Sequence, residues 1–290
     1  MDPFDVCVVG SANLDIVATT TRHPLPGETV HGIAYHEYPG GKGLNQAVAA
    51  ARSGSKVAFV GAVGTDPAAE TLRAVLAADG IDDRLAVTAE ATGRAVIVVD
   101  DAGENSIVVV AGANAAVSVD DGIPAARVLL CQLEVPLSTV TASMRGAREA
   151  GATTLLNPAP ADELPLDLLA CCDVIVPNEH EVELLGGVDH LLGAGCGAVV
   201  VTRGGHGVDI HTDAGTEHVD AFAVEVVDTT GAGDAFCGAL ASRLAAGHPL
   251  VPAARWATAA GALATTVPGA VPAQPLAEAI SGLLVHERDG

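Results

Sequence analysis

Apolar, β-branched runs alternate along the chain with longer segments of helical period. FDVCVVG (4–10), KVAFVGAVG (56–64), ARVLLCQLE (126–134), TTLLNPAP (153–160), DVIVPN (173–178) and AVVVTRGG (198–205) predict strands. GLNQAVAAARSG, PAAETLRAVLAADG, PLSTVTASMRGAREAG, GAGDAFCGALASRLAAG and PAARWATAAGALATT predict helices, with Pro67 and Pro136 at first turns and Gly80, Gly151 and Gly247 after last turns. Strands that are apolar throughout belong to a sheet covered on both faces, so the alternation predicts an α/β fold: a doubly wound, mostly parallel sheet flanked by helices. Ligands of such sheets bind beyond the carboxyl ends of the strands. Two stretches break the rhythm. Residues 14–38 are polar and rich in Thr and His, and residues 93–111 read as a hairpin, RAVIVVD and SIVVVAG around the turn DAGEN. Together they predict a small lid of antiparallel β-strands off one edge, built from the discontinuous segments of about 14–38 and 93–111 within a single domain, 1–290; neither a linker nor a fixed-period repeat marks a second one.

Composition narrows the function. Residues average about 99 Da, below the usual value of roughly 110 for ordinary composition, and only four Phe, two Tyr and one Trp occur. The core is therefore aliphatic, and a small polar ligand would be held by hydrogen bonds instead of stacking. With 36 acidic against 14 basic side chains the net charge is −22, which repels a polyphosphate backbone and argues against nucleic acid. The opening MDPFDVCVVG resembles neither a secretory signal nor a membrane anchor. Six cysteines without a C-x-x-C spacing read as reduced, buried thiols. Those features predict a cytoplasmic protein without a membrane partner.

Several familiar chemistries are missing from the motif list. The Walker-type phosphate loop and the G-x-S-x-G elbow are absent. Gly193, Gly195 and Ala198 match a dinucleotide fingerprint loosely but precede a strand, and ten scattered histidines form no H-E-x-x-H. The strongest local signal is VEVVDTTGAGDAFCGALASRLAAG (224–247). It predicts a strand ending at Asp228, a small-residue loop, and an amphipathic helix whose open N–H groups at Gly231, Ala232 and Gly233 face an anion. Asp234 beside that anion hole suits a substrate hydroxyl that passes its proton to the carboxylate while its oxygen attacks phosphorus; it reads equally as a plain first-turn acid. Asn178 and Glu181 suit phosphate and the water shell of Mg²⁺, or a capping box. Thr202 with Gly204, Gly205 and Gly207 suits a nucleotide phosphate cradle, or a tight turn. Asn13 and Asp15, then Gly40, Gly41, Lys42 and Asn45, with Glu134, suit the vicinal hydroxyls of a small polyol.

These blocks, in this order, resemble the ribokinase/pfkB family of carbohydrate kinases. The resemblance covers nearly the whole chain through GSANLD, HPLPGETV, GGKGLNQAVAAARSG, the GEN turn and AGAN, LLCQLEVP, LNPAP, VPNEHEVELL, TRGGHG and DTTGAGDAF. It implies a ribokinase-like fold and ATP-dependent phosphorylation of D-ribose at its 5-hydroxyl. By the resemblance, Asp234 is the general base and Gly231, Ala232 and Gly233 form the anion hole. Asn13, Asp15, Gly40, Gly41, Lys42, Asn45 and Glu134, again with Asp234, contact the sugar. ATP falls to Asn178, Thr202, Gly204, Gly205, Gly207, Gly233 and Thr258, with Glu181 reaching Mg²⁺ through water. A monovalent cation, K⁺, falls to Asp228, Thr230, Ala264, Val267, Gly269 and Ala273. The lid, with Ala95, Ile97 and Val109 as apolar cover, implies a homodimer. Thr258 stands where relatives often carry His or Asn, and Val267 and Ala273 where they carry polar side chains; carbonyl ligation does not depend on the side chain. Another pentose, deoxyribose or a nucleoside is the alternative substrate, although a nucleoside usually needs aromatic cover that this chain lacks. A sugar-binding regulator on an inactive scaffold is the alternative of another class.

Overall fold

The continuously apolar runs become the central strands of a nine-stranded sheet in the computed structural model, which describes residues 3–286. The first two and last four residues of the predicted domain lie outside the described residues. In chain order the strands are β1 (Phe4–Val9), β2 (Asn13–Thr20), β3 (Gly32–Gly40), β4 (Val57–Val63), β5 (Asp82–Val87), β6 (Gly93–Val99), β7 (Asn105–Val110), β8 (Ala126–Cys131), β9 (Thr153–Leu156), β10 (Val174–Ile175), β11 (Ala198–Thr202), β12 (Val208–Thr212) and β13 (Gly215–Val219). The helices are α1 (Lys42–Arg52), α2 (Pro67–Ala78), α3 (Leu137–Glu149), α4 (Leu166–Leu169), α5 (Glu179–Leu184), α6 (Val188–Gly193), α7 (Ala232–Ala245), α8 (Leu250–Ala264), α9 (Ala270–Ala273) and α10 (Ala277–His286).

The large sheet has the order β13-β12-β11-β10-β9-β8-β1-β4-β5 and is parallel from β5 to β11. Antiparallel pairing of β11, β12 and β13 finishes one edge. Successive residues of β1 feed opposite cores: Val6 and Val8 pack with Leu44, Phe59 and Phe236, whereas Cys7 and Val9 pack with Leu129, Met144 and Leu168. Small residues let the helices on the first face come close. A Cβ at Gly238 of α7 would lie 2.4 Å from the Gln46 carbonyl oxygen and 2.5 Å from Ala49 Cβ of α1. That approach brings the first turns of α1 and α7 together.

A second sheet, β3-β2-β6-β7, stands apart from the first. It contains both irregular stretches, but the expected antiparallel strands include one parallel pair, β2 with β6. Ala95 is buried, Ile97 half-buried and Val109 exposed. The outer strand β7 is exposed along its whole length.

Four sequence expectations are corrected. Residues 224–228 form no strand, because they leave the sheet: the N–H groups of Val227 and Asp228 donate to the Thr265 carbonyl at the end of α8. Helix α7 is not amphipathic; residues Asp234 to Ser242 are all buried, since α7 lies between α1, α8 and the sheet. Strand β9 stops at Leu156, where Asn157 turns its side chain to the Val176 carbonyl, so NPAP lies outside it. Strand β8 ends at Cys131, which leaves Glu134 three residues beyond the strand that was expected to carry it.

Candidate active site

Four chain segments meet beyond the carboxyl ends of the central strands. The first is the start of β2, where Asn13 pairs with Gly40 at the end of β3. Asn13 Oδ1 accepts from Asn114 Nδ2 at 2.7 Å, and Asn114 also grips both the N–H and the carbonyl of Ala12. Gly40 leaves room for a neighbouring acid, because a Cβ there would lie 2.1 Å from Asp15 Oδ2. Asp15 Oδ1 is buried without a partner. Burial, with Glu134 and Asp234 nearby, pushes the Asp15 carboxyl up to about 7.

The second segment is the Gly41 turn and the start of α1. Gly41 has φ +90°, a conformation that side chains disfavour, and no side chain of its own loop caps the helix. Glu134 does so from across the sheet end: its Oε2 accepts from Ser11 Oγ at 2.5 Å and from the Lys42 N–H at 3.1 Å. A carboxylate there also complements the helix dipole. Asp234, then burial, then Glu134 act on Lys42, and the net effect is to raise its pKa, so it stays charged.

The third segment is the loop before α7. Gly231 has φ +77°, with Ala270 Cα 3.0 Å from where its Cβ would be. The Ala235 N–H returns to the Gly231 carbonyl, and the Ala232 N–H donates to Thr229 at 3.2 Å, so Ala232 reaches an anion only by sharing that donor. Asp234 is buried in the first turn, with Asn45 Nδ2 2.9 Å from one carboxylate oxygen and Gln46 Nε2 2.8 Å from the other. It lines one cavity with Lys42, Asn157, Asn178, Glu181, Thr202, Gly231 and Gly233.

The fourth segment adjoins that cavity at Thr202 and Gly233 and forms a groove along Gly204, Gly205, Gly207 and Thr258. Asn178 and Glu181 do form the capping box: Asn178 Oδ1 accepts from the Glu181 N–H and Glu181 Oε2 from the Asn178 N–H, both at 2.8 Å. The box fixes both residues at the cavity wall, so the capping role does not remove them from the site. Thr258 gives its hydroxyl to the Ala254 carbonyl at 2.8 Å. Arg203, the nearby arginine, is engaged by Glu179 and Asp209.

Beside the Gly231 loop, Asp228 accepts from the N–H groups of Thr230 at 2.9 Å and Gly269 at 2.8 Å. Burial works against its charge, but those donors outweigh burial and hold its carboxyl below the usual range. Ala264 ends α8 and Ala273 ends α9, with Val267 and Gly269 on the turn between. Here Gln274 Oε1 is buried and unpartnered. An ionised carboxylate and an unused buried amide oxygen amid loop carbonyls fit a monovalent cation. No group of three His, Cys, Asp or Glu side chains able to hold a metal occurs among the described residues.

Of the residues expected at the sugar, base and phosphate positions, Lys42, Asn178, Glu181, Thr202, Gly231, Gly233 and Asp234 line the cavity, and Gly204, Gly205, Gly207, Ala232 and Thr258 line the groove beside it. Asn45 joins them through its hydrogen bond to Asp234 and Glu134 through the Lys42 N–H, whereas Asn13, Asp15, Gly40 and Gly41 line neither space. Sequence reading overlooked the buried amides Gln46, Gln132, Asn114 and Asn157, and the groove wall formed by Phe222, Val224 and Val226. The signal for the amides was present as polar residues in otherwise apolar or small-residue text. The wall was mistaken in part for a strand.

The family profile for pfkB family carbohydrate kinases matches residues 4–277, and the chain belongs to that family. It is 38% identical over 305 residues to the bifunctional ribokinase/ribose-5-phosphate isomerase A of Fructilactobacillus sanfranciscensis, across 98% of this chain but 56% of that protein. The chain thus spans just over half the length of this relative. Haemophilus influenzae ribokinase is 37% identical, with 96% of this chain and 98% of that one covered. The structure of Arabidopsis thaliana ribokinase complexed with ribose and ATP matches with a TM-score of 0.88 at 31% identity, over 98% of this chain and 99% of that chain.

Proposed function

We propose that the protein transfers the γ-phosphoryl group of ATP to the 5-hydroxyl of D-ribose, giving ribose 5-phosphate and ADP. The observation that carries this reading is Asp234 at the mouth of α7, held by Asn45 and Gln46 in the same cavity as Gly231, Gly233, Asn178 and Lys42. Asn13, Asp15, Gly40, Gly41, Asn45 and Glu134 bind the sugar hydroxyls. Asp234 accepts the 5-hydroxyl proton as that oxygen bonds to the γ-phosphorus in line, and the bond to the β–γ bridging oxygen breaks. Gly231 and Gly233, with Ala232 sharing, point N–H groups at the transferring phosphoryl oxygens. Thr202, Gly204, Gly205 and Gly207 cradle the other phosphates, and the base lies against the apolar groove by Thr258.

Glu181 and Asn178 would hold Mg²⁺ through water, and Asp228, Thr230 and the carbonyls of Ala264, Val267, Gly269 and Ala273 would hold K⁺; bound there, the ions neutralise phosphate charge and support the loop. The small sheet closes over the sugar as a lid, excluding water. Its edge strand exposes Ile107, Val108, Val109 and Val110, each more than half accessible, and such a strand suits a homodimer formed through the lid. We place the protein in the cytoplasm, in keeping with its six free cysteines. No helix among the described residues is long and apolar enough to cross a membrane.

An ADP-release assay with ribose, 2-deoxyribose, fructose and adenosine, with and without K⁺, tests the activity. Ribose is expected to turn over fastest and K⁺ to stimulate it. Turnover of adenosine without ribose would overturn the substrate, and no turnover with any acceptor would favour the sugar-binding regulator. The raised Asp15 carboxyl adds a pH dependence. Only its ionised form accepts hydroxyl donors at both oxygens, so the KM for ribose at saturating ATP should fall as pH rises from about 6 to about 8, around its value of about 7. A flat KM over that range in an active enzyme would remove Asp15 from the sugar site.

A further inference from the structure

Three buried amides form a single hydrogen-bonded chain that ends on Asp234. Asn157 Nδ2 donates to the Val176 carbonyl at 2.9 Å, and Asn157 Oδ1 accepts from Gln46 Nε2 at 3.0 Å. The same Gln46 nitrogen donates to Asp234 Oδ1 at 2.8 Å, while Gln46 Oε1 accepts from Gln132 Nε2 at 2.6 Å. Gln46 and Gln132 are completely buried, and Asn157 is 9% exposed.

The direction of this chain follows from one group. A backbone carbonyl accepts and never donates. Val176 therefore fixes the amide of Asn157 with its nitrogen toward the strand and its oxygen toward Gln46. Gln46 must then present its nitrogen to Asn157 and Asp234, and its oxygen to Gln132, which must donate in turn. Gln132 is left with Oε1 buried and unpartnered. It lies so close to Gly10 that a Cβ there would be 2.0 Å away. A buried acceptor without a donor is costly, and it stays because turning the Gln132 amide would set oxygen against oxygen at Gln46. Asn45, the other donor to Asp234, has no such restraint: its Oδ1 is buried without a partner, so its amide can rotate.

The geometry points to Gln46 as the positioning residue of the general base, oriented from one side by Asn157 on the Val176 carbonyl and supported from the other by Gln132. It holds the Asp234 carboxylate at the angle from which the other oxygen meets the sugar hydroxyl. Gln132 acts only through Gln46. The inference rests on the reading of Asp234 as base and adds three residues to the phosphoryl-transfer machinery; Gln46 and Gln132 are fully buried behind the carboxylate, and Asn157 reaches the cavity wall.

Gln46→Met keeps the volume and removes the donor. It is expected to lower kcat by about 10²-fold, the scale of a small misplacement at the reacting atoms, with the KM for ribose and for ATP within about threefold. Gln132→Met should lower kcat by roughly tenfold, and the double variant should be no slower than Gln46→Met, because coupled residues are not additive. Melting temperatures are recorded for each. If Gln46→Met does not fold, Gln46→Asn, which keeps an amide but withdraws it by one methylene, takes its place with the same expectation. A kcat within twofold of the parent in the Gln46 variant, a loss confined to the ribose KM, or multiplicative losses in the double variant would each overturn the proposal. Asp234→Asn separates the two readings: if that variant stays active the base assignment falls, whereas an inactive Asp234→Asn beside a fully active Gln46→Met sinks only the positioning role.

Discussion

Asp234→Asn is expected to lower kcat for ribose phosphorylation by about 10²–10⁴-fold, the usual contribution of positioned proton transfer, with little loss of ribose affinity. The structure makes this substitution an unusually clean probe. Both carboxylate oxygens accept from amides, so an amide at this position would set its nitrogen against one donor. Gln46 cannot turn, because Asn157 and Val176 fix it. Asn45 can turn, and its unpartnered Oδ1 would then accept from the new nitrogen. The variant thus keeps the hydrogen bonds of the first turn of α7 and loses the capacity to take a proton, together with the carboxylate charge near Lys42. Coupled ADP-release kinetics beside calorimetric ribose binding check it. Undiminished kcat would show that Asp234 is not the base.

Asp15→Asn is expected to raise the ribose KM by about 10- to 10²-fold, corresponding to the roughly 1–3 kcal/mol of a buried partner left unmatched, and at the same time to stabilise the free protein at neutral pH. The two effects share a cause. Asp15 is half-buried beside Glu134 and Asp234, with Oδ1 lacking a donor, so ionising it in the empty site is unfavourable and its carboxyl is pushed up to about 7 from 3.8. Between those values the folded state binds more protons than the unfolded one, and stability falls as pH rises. The penalty is complete above about 7. Removing the charge should therefore raise Tm more at pH 8 than at pH 5, by several degrees if about 1–2 kcal/mol is recovered. An equal gain at both pH values, or a lower Tm at pH 8, would show that Asp15 stores no such repulsion. A sugar hydroxyl supplies the missing donor, so the strain of the empty site favours binding.

The charge of −22 sits oddly with a phosphoryl-transfer enzyme. The site accounts for it without basic side chains. Arg203 is neutralised by Glu179 and Asp209, and Lys42 is paired electrostatically with Asp234. Phosphate charge is left to backbone N–H groups, to the start of α7 and to the cations proposed beside Asp228 and Glu181.

By itself the sequence determined the layered α/β architecture and the positions of its main helices, because short, β-branched apolar runs such as VAFVGAV, alternating with longer helical periods, suit strands covered on both faces, and because Pro67 and Gly80 mark ends that the backbone then takes. It also pointed to the loops after the strand ends as candidates for chemistry, although Asp234, Asn178 with Glu181, and the 202–207 turn each had a purely structural alternative in the sequence. The tertiary structure alone decided how those loops meet. Asn45 and Asp234 lie 189 residues apart and touch because Gly238 lets α1 and α7 approach to backbone contact. It likewise decided that VEVVD leaves the sheet, since the Thr265 carbonyl competes for its N–H groups from the far end of α8. The amide chain behind Asp234 depends on the same kind of information. Hydrogen-bond direction is a property of partners held in space, and Val176 sets it for residues that no local pattern connects.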